Sequence, residues 1–76
     1  MISLKVKLKD ANEIQDFVWK CNQLNCDADI IAGRYTVDAK SILGIFSVDL
    51  SKSLKLIVYT EDSNLVYDTM REYIVA

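Results

Sequence analysis

The chain has 76 residues, 51% of them apolar and 26% charged, with two glycines, no proline and a net charge of -2. A chain of this length buries only about 60% of the surface its unfolded form exposes, so a substrate cleft of roughly 300–1,000 Å³ would remove much of its core. Size therefore argues for a single domain, residues 1–76, that is bound or modified by something larger, and against a self-contained enzyme. The composition excludes a disordered chain, and nine basic against eleven acidic side chains argue against direct nucleic-acid binding. No apolar run approaches the roughly 20 residues that span a bilayer, and Met1 leads into alternating lysines rather than a signal-peptide core. A cytoplasmic protein without membrane contact is expected.

In chain order, Ile2, Leu4, Val6 and Leu8 alternate with Ser3, Lys5, Lys7 and Lys9, the period of a strand with one buried face and its lysines on the solvated one. Asp10 is placed to cap a helix, with Glu13 completing a capping-box-like pair, and Ile14, Phe17, Val18, Cys21 and Leu24 follow at helical spacing. The spacing predicts a helix from Ala11 to Leu24, with Trp19 well off its apolar stripe. Asn25 to Asp27 are turn-prone, and Ala28 to Ala32 and Arg34 to Val37 read as a hairpin through Gly33. Ser41 opens a short apolar helix, Asp49 to Ser53 form a polar loop, and Leu54, Leu56 and Val58 resume the alternation of a strand. Asp62 or Ser63 then caps a last helix carrying Val66, Met70, Tyr73 and Ile74 on one face. Helices on one face of an antiparallel sheet make a two-layer α+β domain.

Cys21 and Cys26 serve as small apolar residues, and two cysteines with no histidine leave four-coordinate zinc without half its ligands. No metal or cofactor is implied.

The run Asp38, Ala39, Lys40, Ser41, Ile42, Leu43, Gly44, Ile45, Phe46, Ser47, Val48 resembles the regulatory-serine helix of the HPr family, the phosphocarriers of the bacterial sugar phosphotransferase system. In that family a Lys-Ser pair leads into Ile/Leu-Met/Leu-Gly-Ile/Val-Met/Phe, as Lys40 to Phe46 do. Element order and the place of the short helix match as well, so the resemblance extends from Met1 to Ala76, with only Asp38 to Val48 specific as a motif. It implies an open-faced sandwich with sheet order 1-4-2-3.

Asp27, Ala28, Asp29 and Ile30 look like the family's Asp-Ala-Asp/Glu-Ile/Val strand, and counting back from them puts the phosphorylated histidine's position on Asn12. The family's following Ala-Arg-Pro falls on Glu13, Ile14 and Gln15. Phosphoryl transfer to a carrier needs a nucleophilic nitrogen lone pair, which imidazole has and an amide, delocalised into its carbonyl, lacks. Ile14 cannot neutralise phosphate charge as the family's arginine does. No catalytic residue is expected, and the resemblance is to the family's non-carrier type, similar to the catabolite-repression HPr-like protein.

What the resemblance leaves is Ser41, whose family counterpart is phosphorylated by HPr kinase and then engages a LacI-type catabolite transcription regulator. Protein partners of that kind, or phosphotransferase-system enzymes, are implied. Lys40, Ile42, Leu43 and Phe46 would form the partner surface, with Trp19 as a further anchor. Two readings stay open at this point. A serine at a helix start also serves as a plain cap, which would leave an HPr-fold interaction module with no phosphorylation site in use. Likewise, Ile42, Ile45 and Phe46 could be core, with Leu43 alone exposed.

Overall fold

Alternating apolar residues turn one face of each strand inward in β1 (Ile2–Val6), β2 (Ala28–Ala32) and β4 (Leu54–Val58), while the short β3 (Tyr35–Asp38) closes the far edge. The computed structural model describes residues 1–75. All pairings are antiparallel and the order is β1-β4-β2-β3. Three helices, α1 (Ala11–Gln23), α2 (Ile42–Phe46) and α3 (Ser63–Met70), complete the chain. Leu4, Val6, Ile30, Leu56 and Val58 from the sheet pack with Ile14, Phe17, Cys21, Ile45, Val66 and Met70 from the helices in one apolar core. This is the expected two-layer sandwich.

Local chemistry explains where elements start. Asp10 Oδ1 accepts the Glu13 N–H at 2.8 Å, and Glu13 Oε1 accepts the Lys9 N–H at 3.0 Å, so both carboxylates bind backbone donors at the head of α1. Asp62 caps α3 through the Leu65 N–H at 3.2 Å. Gly33 takes φ +62° at the first central position of the β2–β3 turn, a conformation that favours glycine.

Five boundaries differ from the sequence reading. β1 ends at Val6, although Leu8 stays buried; α1 ends at Gln23, with Leu24 as its C-cap. β3 begins at Tyr35 because Arg34 shares the tight turn with Gly33, and it runs on to Asp38, which pairs with Asp29. α3 stops at Met70. Tyr73 reaches the core from the turn that follows, and Ile74 bridges to Val6. The edge of β1 supplies the reason: Lys7 N–H donates to Tyr73 O and Val75 N–H to Lys5 O, each at 2.9 Å, so backbone groups left free by an edge strand capture the chain. No helix among the described residues is long and apolar enough to cross a membrane.

Candidate functional site

Ser41 occupies the N-cap of α2 with extended backbone, φ -107° and ψ 112°, and its Oγ accepts the Gly44 N–H at 3.2 Å. The turn that delivers it is set by Asp38, whose Oδ1 accepts the Lys40 N–H at 2.9 Å and whose carbonyl accepts the Ser41 N–H at 3.0 Å. Ala39, fully buried, anchors the same turn by donating its N–H to Ala28 O at 3.0 Å. Glycine at position 44 lets the helix sit close: a Cβ there would meet Val37 Cβ at 3.3 Å and Ser41 Oγ at 3.4 Å. The close contact with β3 depends on it.

Lys40 does not project as a free cation. Its ammonium donates to Leu24 O at 2.9 Å, satisfying a carbonyl at the end of α1, and its own carbonyl accepts Asn22 Nδ2 at 3.2 Å. These two bonds fasten the end of α1 to the entry of α2. Within α2, Ile45 is fully buried and Ile42 half-buried, whereas Leu43 is 80% and Phe46 46% exposed. The reading that left Leu43 alone outside is therefore corrected: in a helix of five residues Ile45 takes the inward position, and Phe46, next in the chain, turns outward.

Asn12 is exposed as the second residue of α1, and Trp19 is 62% exposed. Asn12, Gln15, Trp19 and Asn22 follow at spacings of three, four and three, and so share one side of α1. Since Asn22 binds Lys40 O, that side leads to α2, and an uncharged strip ending in Leu43 and Phe46 results. Its spacing was visible in the sequence; the bonds that join it to α2 were not. The head of α1 beside Asn12 is held by the carboxylates of Asp10 and Glu13, which repel an incoming phosphate. Cys21 is buried in the core, and burial pushes its thiol up to about 12, which keeps it protonated and unreactive near neutrality. A surface concavity of about 470 Å³ lies between the β2–β3 turn and the loop before β4, bordered by Arg34, Tyr35 and Lys52, and includes neither Ser41 nor Asn12.

An open-faced α+β sandwich of this strand order, with a short serine-capped helix between its third and fourth strands, defines the HPr-like fold. Solved structures agree. HPr from Bacillus anthracis superposes with a TM-score of 0.76 and 22% identity over 97% of this chain and 96% of that one. HPr-C-His from Thermoanaerobacter tengcongensis gives 0.73 and 22%, covering 93% and 85%. The Bacillus subtilis catabolite-repression protein Crh gives 0.61 and 25%, covering 100% and 93%. No protein-family model matches the chain, and no curated protein does. This chain has the HPr-like fold.

Proposed function

We propose that this chain is a regulatory, HPr-like protein of the sugar phosphotransferase system, at work in the cytoplasm, that carries no phosphate on histidine and is switched at Ser41 by HPr kinase. The observation that carries this reading is the Ser41 hydroxyl, half-exposed beside the outward Leu43 and Phe46, in a chain that has no histidine. Phosphorylation there adds about -1.5 to -2 charges to a neutral surface, enough to change which partner it accepts. Structural neighbours named as HPr and Crh support a protein that acts by being bound or modified rather than as an enzyme. The resemblance adds a catabolite transcription regulator or phosphotransferase-system enzymes as partners, met through Lys40, Ile42, Leu43, Phe46 and Trp19. Lys40, whose ammonium is bonded to Leu24 O, would serve that surface mainly by fixing it in place.

Incubation with ATP and HPr kinase, followed by intact mass measurement, should add one phosphate to the unmodified protein and none to Ser41→Ala. An unphosphorylated wild-type chain removes the switch. Phosphoenolpyruvate with enzyme I should label nothing, because the Asn12 amide nitrogen has its lone pair delocalised into the carbonyl and the Cys21 thiol stays protonated.

The 3.2 Å bond from Gly44 N–H to Ser41 Oγ favours a second reading, an HPr-fold interaction module in which Ser41 is only a helix cap. In that case Ser41→Glu captures the same partners as the wild type in a pull-down.

A further inference from the structure

The open face of the sheet, turned away from the helices, carries two like-charged pairs directly across neighbouring strands. Lys5 of β1 stands opposite Lys55 of β4, and Asp29 of β2 stands opposite Asp38 of β3. Like charges in directly opposed positions destabilise a sheet. Asp29 accepts the Tyr59 hydroxyl at 2.9 Å and Asp38 the Lys40 N–H at 2.9 Å, whereas among the described residues neither Lys5 nor Lys55 has an acidic partner within 4.0 Å.

The register fixes where these pairs lie. One row across the face reads Lys5, Lys55, Ile31, Thr36, and the next reads Ser3, Ile57, Asp29, Asp38. The cations thus fill one corner, the carboxylates the diagonally opposite corner, and Ile31 and Ile57 the other diagonal. A two-fold axis laid along the Ile31–Ile57 diagonal brings a second copy face to face. It sets Lys5 and Lys55 of one copy over Asp29 and Asp38 of the other, twice, with Ile31 on Ile31 and Ile57 on Ile57. We propose that this open sheet face is a self-complementary surface through which two copies of the chain pair. No element is exchanged between them, and the pairing is independent of Ser41.

Strand spacing and rise make the face roughly 15–20 Å on a side, well below the roughly 800 Å² per partner of a standard interface. The pairing is therefore weak and electrostatic, and a net charge of only -2 offers little repulsion against it.

Sedimentation velocity of the full chain at about 0.1–1 mM protein tests the proposal. Dimer should form near 10 mM salt and weaken at least tenfold near 1 M, as the Debye length falls from about 30 Å to about 3 Å. Lys5→Glu/Lys55→Glu and Asp29→Lys/Asp38→Asn, each verified as folded by circular dichroism, should be monomeric alone. Mixed one to one, they should form a heterodimer, because the first then presents only carboxylates and the second keeps both lysines and adds one. The asparagine keeps the acceptor that holds the Lys40 N–H. A wild type that stays monomeric throughout, a mixture that fails to associate, or a dimer that survives either variant alone, as an exchanged-strand dimer would, overturns the proposal. So does a wild type that binds an acidic peptide such as polyglutamate while remaining monomeric.

Discussion

On one side of α1, Asp16 and Lys20 reach across to the segment after α3; on the other, Asn22 holds a backbone carbonyl of Lys40 while Asn12, Gln15 and Trp19 face solvent. The first side is closed on itself. Tyr73 donates its hydroxyl to Asp16, stacks edge-on against Phe17 with ring centroids 5.3 Å apart, and lies under the Lys20 ammonium at 5.2 Å; Lys20 also meets Glu72 at 3.5 Å. The second side leaves an indole, two amides and the outward residues of α2 exposed, without a counterpart among the described residues. One helix thus supports the fold with one flank and offers contact area with the other. An aromatic ring counts for stability only where it is buried.

The largest effect that would sharpen this contrast is Tyr73→Ala, expected to cost about 3–5 kcal/mol in urea unfolding, against less than about 0.5 kcal/mol for Trp19→Ala. Equal costs would break the comparison. Next, burial and the hydrogen bond to Asp16 raise the Tyr73 phenol above its ordinary 10.0. A raised folded value means stability that is intact below pH 10 and falls as the pH rises further, because the unfolded chain releases the proton first. Tyr73→Phe, itself costing about 1 kcal/mol near neutrality, should flatten that alkaline decline. At the acid end the sign reverses: the Tyr73 hydroxyl and Lys20 hold the Asp16 carboxyl below 3.8, so its contribution disappears as the pH falls through the folded value, and Asp16→Asn should remove that part of the acid limb. On the α2 side, Ser41→Ala should cost about 1 kcal/mol as a lost cap, measured by the same urea series. Smallest in stability but largest in binding, Trp19→Ala should weaken capture of the partner by about tenfold or more if the strip is its docking surface. An unchanged pull-down would assign Trp19 no part in it.

Much of this was legible in the sequence because β1 and β4 alternate cleanly, Gly33 marks the hairpin between β2 and β3, and each helix begins at a short polar residue with an acceptor oxygen. Asp10, Ser41 and Asp62 all cap as the pattern implies. The end of α3 was not legible, since spacings of three and four put Tyr73 and Ile74 on the core side whether the backbone continues as helix or turns. Pairing with the β1 edge decides between them, and that is a long-range bond no local pattern carries. At the candidate site the serine, the leucine and the phenylalanine could be named from the motif. That Lys40 would turn back onto α1 could not, because its partner is a backbone carbonyl 16 residues away.

That double attachment of Lys40 bears on how Ser41 can be reached. An enzyme that reads its target as a loose, extended peptide would first have to detach the ammonium from Leu24 O and the carbonyl from Asn22, separating the entry of α2 from the end of α1 to free one serine. The kinase proposed to act on Ser41 would therefore have to grip an assembled surface. A synthetic fragment spanning residues 36–50 should be a poor substrate, however faithful its sequence.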